Sequence, residues 1–400
     1  MFEIIDKDPN PTVIKVVGVG GAGGNAVEHM IREGVQGVEF ICANTDAQAL
    51  RLSSAGVKIQ FGPGLGAGGK PERGRELALA EREAIADALA GAHMVFITAG
   101  MGGGTGTGAA PIVAEVAREL GVLTVAVVTK PFEFEGKRLR LAEEGLLELA
   151  QNVDSLIVIL NEKLMEVLGE DVTMTDAFRS ADNVLKNAVG GIAEIINVPG
   201  LVNVDFEDVR TVMGEMGKAM MGSATSSGVD RARLAAEAAV ASPLLEGIEL
   251  SGARGVLVNV TASRQLGMKE VKEVMATIRN YASPEATIIF GTVFDEGMED
   301  QLRVTVVATG LGNAAARRKP ALKPELIHVA AEGQGLRTGT DNQPMFSGGD
   351  ASAPAASTGS LDFGGVFTSG RGARNQAVAA MEASGVDKYD IPAFLRKQAD

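Results

Sequence analysis

The chain has 400 residues, of which 46% are hydrophobic and 22% are charged, so it is long enough for two domains with substantial cores. Its net charge is −14, and because residues 313–400 carry +1, residues 1–312 carry −15; a body of that charge argues against a nucleic-acid or anionic-membrane binder. Aromatic residues make up only 4% of the chain and Trp is absent, which argues against a base-stacking surface.

In the first half of the chain, apolar runs typical of buried strands alternate with segments of helical apolar spacing. The strands are predicted over 13–17, 38–43, 94–98, 122–128 and 155–160, and the helices over 26–31, 76–89, 109–120 and 175–197. This alternation predicts a doubly wound α/β domain, with ligand-binding loops at the carboxyl ends of its strands.

The first glycine-rich loop, residues 18–25, follows the first predicted strand. Its spacing Gly18-x-Gly20-x-x-Gly23 fits the dinucleotide fingerprint, in which a helix N-terminus receives a phosphate. Asp46 lies 23 positions beyond Gly23, after the second predicted strand, as an NAD-binding Rossmann dehydrogenase requires. That enzyme class is therefore the main alternative, although the fingerprint by itself is weak.

The second glycine-rich loop, residues 100–108 (GMGGGTGTG), lies between a predicted strand and a predicted helix. Glycines allow positive φ and bring backbone N–H groups close to a ligand, while the helix N-terminus adds a partial positive charge. Thr105 and Thr107 add hydroxyl groups without bulk. Together these features predict a phosphate site.

Shorter loops carry the remaining polar candidates. Residues 44–46 (NTD) end the second strand and are typical of an Asx turn, and the glycine turn over 66–71 is typical of a surface loop. Asp205 fits a helix N-cap with Glu207 and Asp208 in the first turn, which would stabilise the helix by roughly 1 kcal/mol.

After residue 231 the pattern changes to that of a smaller α+β domain. Helices are predicted over 235–241 and 270–278, and strands over 255–260, 286–294 and 302–308. Residues 313–386 are rich in Ala, Gly, Ser and Pro and predict a disordered linker. Near the end, Ile391, Phe394 and Leu395 form a small amphipathic turn suited to a partner's groove.

Residues suited to redox or metal chemistry are few. Cys42 is the only cysteine, which suits a reducing cytosol, and His29, His93 and His328 are scattered without metal-ligand spacing. No metal site held by protein side chains is predicted. No apolar run approaches the ~20 residues that span a bilayer, and residues 1–11 lack a signal-peptide core, so a cytoplasmic location without membrane insertion is predicted.

The run GGGTGTG at residues 102–108 resembles the phosphate-loop signature of the tubulin and FtsZ family. The resemblance covers about residues 13–311 and 389–400. It implies an α/β, tubulin-like fold: a doubly wound GTP-binding domain and a smaller α+β domain, joined by a long helix and followed by a disordered C-terminal linker. The implied segments are an N-terminal extension (1–12), the GTP-binding domain (13–174), the connecting helix with the start of an acidic loop (175–204), the second domain (205–312), the linker (313–386) and a partner-binding peptide (387–400).

The resemblance also implies which residues bind GTP or GDP. In the family, glycine loops hold the phosphates, a Glu contacts the ribose, and a Phe and a following Asp contact guanine. The matching positions in this chain are Gly20, Gly21, Ala22, Gly23, Gly24, Asn25, Asn44, Asp46, Ala67, Gly68, Gly69, Gly102, Gly103, Gly104, Thr105, Gly106, Thr107, Gly108, Glu135, Arg138, Phe178, Asp182 and Asn183.

Two of these matches depart from the family pattern. The nucleotide-contacting Arg usually lies four residues after the Glu, where this chain has Leu139, and the segment 135–142 is one residue short. Arg138 precedes that position and Arg140 follows it; we assign the role to Arg138, and a solvated helix position is the alternative for either arginine. The guanine-binding Asp is replaced by Asn183, preceded by Asp182, and an Asn amide can also hydrogen-bond guanine.

The implied function is that of a GTP-hydrolysing protein that polymerises head to tail into filaments of the bacterial division ring at mid-cell. The family motif NxDxxD, here Asn203, Asp205 and Asp208, would complete the active site of the neighbouring subunit, where Asp205 and Asp208 would orient the water and help hold cations. Mg²⁺ would be held largely by phosphates and water. The tail, Tyr389–Lys397, would bind membrane-tether and regulator proteins of the FtsA and ZipA type. A non-hydrolysing scaffold of the same fold is a further alternative, weakened by the presence of the loop acids.

Overall fold

The computed structural model describes residues 12–169, 172–197, 204–215, 217–242 and 252–311. The strands in these ranges are β1 (Ile14–Val19), β2 (Glu39–Asn44), β3 (Val57–Gln60), β4 (Met94–Gly100), β5 (Leu123–Lys130), β6 (Ser155–Leu160), β7 (Gly217–Ser227), β8 (Gly255–Ala262), β9 (Thr287–Phe294) and β10 (Gln301–Leu311). The α-helices there are α1 (Gly20–Arg32), α2 (Ala47–Leu52), α3 (Pro71–Ala80), α4 (Arg82–Leu89), α5 (Gly104–Glu119), α6 (Lys137–Leu149), α7 (Asn161–Leu168), α8 (Met174–Asn197), α9 (Phe206–Met213), α10 (Arg231–Val240) and α11 (Met268–Tyr281). Asn203, the predicted linker and the predicted C-terminal peptide lie outside the described residues.

The first six strands form a parallel sheet in the order β3-β2-β1-β4-β5-β6. The order reverses between β1 and β4, which pair directly from Ile14 and Met94 to Val19 and Ala99. In open α/β sheets this reversal leaves a crevice at the carboxyl ends of the strands, where ligands bind. Both predicted phosphate loops begin at this edge, because one follows β1 and the other follows β4.

The sheet continues into the second half of the chain. Strand β7 pairs parallel to β6 over three residues, Ser155–Ile157, and antiparallel to β10. Strand β8 then pairs antiparallel to β10 and parallel to β9, which completes a ten-stranded order. The described part of the predicted α+β domain therefore shares one sheet with strands β1–β6, which carry the glycine-rich loops.

Alternation along β1 shows how the layers are built. Val16 contributes to the core under α1 and α8, whereas Val17 contributes to the core under α3–α6 on the opposite face, as the two-residue period of a strand requires. A third core lies between α10, α11 and strands β7–β10. Within the described residues, no helix is long and apolar enough to cross a membrane.

Several predicted boundaries are wrong for local reasons. Helices α1 and α5 begin at Gly20 and Gly104, so residues predicted as loop form their first turns. The helix predicted over 76–89 is two helices, interrupted at Glu81, where φ −107° and ψ 23° leave the helical region. Strand β7, rich in small and polar residues, was not predicted, because its sequence (GKAMMGSATSS) lacks strict apolar alternation.

Candidate functional site

Two helix N-termini converge at the β1–β4 crevice. Gly20 opens α1 with φ +77°, and a Cβ built there would lie 2.9 Å from the backbone nitrogen of Gly106 in the first turn of α5. The first turns of two helices therefore meet, and each contributes unpaired N–H donors and a partial positive charge. This arrangement suits a polyanionic ligand such as a di- or triphosphate.

The glycines of this site fall into two groups. At Gly21 and Gly103 an added Cβ would meet no atom within 4 Å, so the backbone there faces open space. At Gly106 the Cβ would lie 2.5 Å from the carbonyl oxygen of Gly100, which shows that this glycine allows α5 to pack against β4. The open glycines form a cradle that side chains would fill, as expected of a site in which phosphate approaches the backbone.

One residue of the second glycine-rich loop adopts the positive φ that favours glycine. Within residues 100–108 only Gly102 has positive φ, at +95°. Its N–H donates a hydrogen bond of 2.8 Å to Oγ1 of Thr107, a buried side chain. The Thr107 hydroxyl thus stabilises the loop from within, whereas Gly106 is required by packing.

The NTD loop, residues 44–46, is tied to the second glycine loop. Oγ1 of Thr45 and Oγ1 of Thr105 lie 2.6 Å apart, which links the end of β2 to the start of α5. Oδ1 of Asn44 accepts from the backbone N–H of Asp46, and the Asp46 carboxylate caps α2 by accepting from Gln48. The Asx-turn interpretation is therefore confirmed, and it places both residues beside the crevice.

The third glycine turn lies at the same end of α5. A Cβ at Gly104 would lie 2.8 Å from the backbone nitrogen of Lys70 and 2.9 Å from Cβ of Ala67. Ala67 is buried, whereas Gly68 and Gly69 are exposed and have φ of +62° and +69°. The structure thus brings this turn to the cradle and leaves its glycine backbone open to a ligand.

Glu135, between β5 and α6, forms an ion pair with Arg138 in the first turn of α6, with Nη1 of Arg138 donating to Oε2 of Glu135 at 2.7 Å. A Cβ at Gly102 would lie 2.7 Å from the backbone oxygen of Arg138, so Arg138 adjoins the phosphate loop. Arg140 instead pairs with Glu144, at 3.9 Å. The geometry therefore favours Arg138 over Arg140 for a nucleotide contact.

Three phenylalanines cluster beside this loop. The rings of Phe132 and Phe134 are stacked at 5.1 Å, and Phe178 meets Phe132 edge to face at 5.9 Å. Phe178 is 45% exposed and Phe134 is 74% exposed. Phe134 is not among the residues predicted above, although the alternation of Phe and Glu over residues 132–135 was the available signal. The cluster offers an apolar surface for a flat ring.

A polar contact joins α1 to α8 near this cluster. Nε2 of His29, a buried side chain, lies 2.8 Å from Oδ1 of Asn183, which is exposed. The neighbouring Asp182 is partly buried; burial raises the pKa of its carboxyl to about 6, while His29 and Arg32 act in the opposite direction. In the sequence His29 is one of three scattered histidines, and no local pattern pairs it with a residue 154 positions away.

The acidic loop lies at the opposite edge of the sheet. Asp205 caps α9 by accepting from the N–H of Asp208 at 2.8 Å, as predicted. Phe206 packs against His93, just before β4, and Arg210 donates to the carbonyl of Gly121, just before β5. The seven residues of β4 separate this edge from the glycine loops by about 23 Å.

The predicted site residues therefore form two groups. Described residues of the glycine, NTD, Glu135–Arg138 and Phe178–Asn183 segments lie toward the crevice, whereas Asp205 and Asp208 do not. Within the described ranges, no three His, Cys, Asp or Glu side chains cluster so as to hold a metal ion. The crevice can hold phosphate on backbone N–H groups.

Family models and known proteins match both parts of the described sheet. A model of the Tubulin/FtsZ family, GTPase domain, matches residues 13–169, and one of the FtsZ family, C-terminal domain, matches residues 217–312. The chain is 51% and 52% identical to the cell division proteins FtsZ of Pseudomonas putida and Pseudomonas aeruginosa, with 100% of each chain covered. The solved FtsZ dimer of M. jannaschii superposes with a TM-score of 0.73 at 45% identity, covering 76% of this chain and 89% of that one.

Proposed function

The chain belongs to the Tubulin/FtsZ family, and from that premise we propose how its residues divide the work of binding and hydrolysing GTP. Membership makes it a GTP-hydrolysing cell-division protein, and the NAD-dehydrogenase alternative finds no support among the comparisons. The order of strands β3-β2-β1-β4-β5-β6 is that of a doubly wound sheet, which serves both classes, and this explains why the dinucleotide fingerprint left the dehydrogenase as an alternative.

In this proposal the nucleotide lies along the crevice. The phosphates occupy the cradle over Gly21, Gly103 and the 67–69 turn, the Glu135–Arg138 pair meets the ribose and nucleotide, and Phe178 lies against the base. These residues fit the group, because open glycine backbone, two helix N-termini and an exposed aromatic ring coincide. GTP supplies the phosphoanhydride bond; the protein residues bind it, orient it and exclude bulk water.

The acidic loop acts on the nucleotide of a neighbouring subunit. One observation carries this step: Asp205 and Asp208 lie at the amino edge of the sheet, about one strand length away from their own chain's glycine loops. Head-to-tail stacking would bring the amino edge of one copy onto the crevice of the next. Asp208 would then orient the attacking water, and Asp205 would hold the loop in shape as the cap of α9.

Self-assembly is supported by the solved relative, which is described as a dimer. We further propose that Mg²⁺ is held by phosphates and water, because the described residues contain no ligand cluster. The filaments would form the division ring at mid-cell. Tyr389–Lys397 would recruit tether proteins of the FtsA and ZipA type; this tail lies outside the described residues.

The test uses Asp208→Ala, with Glu207→Ala as the matched control on the same turn of α9. Asp208→Ala should bind GTP normally in calorimetry but hydrolyse it about 10²-fold or more slowly, whereas Glu207→Ala should retain turnover. Adding Gly103→Val chains, whose cradle is blocked but whose acidic loop is intact, should restore part of the turnover. Full turnover by Asp208→Ala alone, independent of protein concentration, would refute the cross-subunit site.

A further inference from the structure

The contact between His29 and Asn183 joins α1, whose N-terminus forms part of the phosphate cradle, to α8, which carries Phe178. Helix α1 begins at the phosphate cradle, and His29 lies nine residues farther along it, or about 13 Å. Asn25, an exposed residue one turn earlier, lies on the same face of α1. In the proposed function the phosphates occupy the cradle and Phe178 lies against the base, so the base lies beside the segment of α8 that also carries the exposed Asn183.

The geometry decides which end of that amide is free. Nε2 of His29 lies 2.8 Å from Oδ1 of Asn183, so the ring N–H donates and the amide oxygen accepts. The NH2 group of Asn183 is then left to face the ligand, and it can only donate. An aspartate at this position would instead offer only acceptor atoms.

Purines differ in what they present to a donor. Guanine and hypoxanthine carry an oxygen acceptor at position 6, whereas adenine carries an amino donor there. An NH2 group held in one orientation donates to the 6-oxo group of guanine or hypoxanthine. Opposite adenine, the same NH2 group faces another amino donor and forms no hydrogen bond. The 2-amino group, which distinguishes guanine from hypoxanthine, is itself a donor and gains nothing from the Asn183 NH2 group.

We propose that His29 is a positioning residue that fixes the Asn183 amide with its NH2 group toward the base, so that the site reads the 6-oxo group of the purine and not the 2-amino group. This inference rests on the proposed function, since it takes the crevice to hold a purine nucleotide. Asp182 does not replace Asn183 in this role, because its partly buried carboxyl interacts with His29 and Arg32 of α1.

The test measures affinities for GDP, inosine diphosphate and ADP by calorimetry. The wild-type chain should bind GDP and inosine diphosphate within about twofold and ADP about 10- to 100-fold more weakly, since an unpaired polar group costs about 1–3 kcal/mol. His29→Leu releases the amide and should reduce the discrimination between GDP and ADP about tenfold. His29→Gln, which can still donate to Oδ1, should restore it.

Asn183→Asp provides the complementary change. A carboxylate accepts from both N1–H and the 2-amino group, so this variant should bind GDP about tenfold more tightly than inosine diphosphate. In ¹⁵N NMR of the wild-type chain, His29 should carry its ring proton on Nε2, and only three histidines need to be assigned.

The possible results distinguish a failure of this inference about His29 from a failure of the proposed nucleotide-binding function. If His29→Leu weakens all three nucleotides equally, its role is only to pack α1 against α8 and the inference is wrong. Strong wild-type preference for GDP over inosine diphosphate also contradicts it, because the 2-amino group is then read. Either result leaves GTP binding intact, whereas a wild-type chain that binds neither guanine nor inosine nucleotides would overturn the proposed function as well.

Discussion

Replacing either of two glycines, three residues apart in the second glycine-rich loop, by valine should have different effects: loss of nucleotide affinity at one and loss of thermal stability at the other. Gly103 is the N-cap of α5, with φ −89° and ψ 173°, and an added Cβ meets nothing within 4 Å. Valine favours such extended backbone, so Gly103→Val should fold normally. Its methyl groups, however, would occupy the space from which an anion reaches the first N–H groups of α5.

The magnitude follows from the lost hydrogen bonds. Two backbone bonds to a charged phosphate are worth about 1.5–3 kcal/mol each, so GDP affinity should fall by roughly 10²- to 10⁴-fold. The melting temperature without nucleotide should change by no more than about 2 °C, because a strain-free surface change costs within about 0.5 kcal/mol.

Gly106→Val tests the other class of glycine. Its Cβ would lie 2.5 Å from the Gly100 carbonyl oxygen and 3.6 Å from Cβ of Ala99, so β4 and α5 must move apart. Overpacking of this kind costs about 1–3 kcal/mol, and the melting temperature should fall by about 3–10 °C. Binding would weaken as a consequence of that movement.

Calorimetric titration with GDP and thermal unfolding without nucleotide separate the two effects. The reasoning is refuted if Gly103→Val keeps wild-type affinity, because the open backbone then is not the anion site. It is equally refuted if Gly106→Val melts at the wild-type temperature, since the close approach of α5 to β4 would then tolerate a side chain.

Three further predictions concern other parts of the chain. Thr107→Val keeps the side-chain volume but leaves the N–H of Gly102 without its acceptor. The free energy of unfolding measured by denaturant titration should fall by about 1–3 kcal/mol. An unchanged value would show that the hydroxyl does not stabilise the loop. Burial raises the pKa of Asp182 from 3.8 to about 6, so between these pH values the native state holds a proton that the unfolded chain has released. The free energy of unfolding should therefore fall by on the order of 2 kcal/mol as the pH rises from 4 to 6. Asp182→Asn should lose this dependence of the unfolding free energy on pH. Deleting residues 389–400 should leave GTP turnover intact and abolish binding to a membrane-tether protein; full-affinity binding by the truncated chain would place the recognition site elsewhere.

Local patterns in the sequence were sufficient for the first half of the fold. Apolar runs such as 94–98 and 155–160 predicted strands because parallel strands are buried on both faces. Glycine loops between a strand and a helix predicted anion sites, because the N-terminus of the helix in the same segment supplies the N–H donors. Asp205 was likewise predicted as an N-cap, because capping involves residues three positions apart.

Only the tertiary structure decided how distant segments combine. The ten-stranded sheet depends on three pairs between β6 and β7, and β7 has no strong pattern of its own. The separation of glycines into open and packed positions depends on which atoms of other elements approach them, as Gly103 and Gly106 show.

The same limit applies to the functional residues. Sequence spacing could not show that Asp208 lies at the far edge of the sheet from the glycine loops, or that His29 meets Asn183 across 154 residues. Periodicity and capping are properties of neighbours in the chain and can be read from it directly. Contacts between elements arise from packing of the whole chain, and only the folded structure determines them.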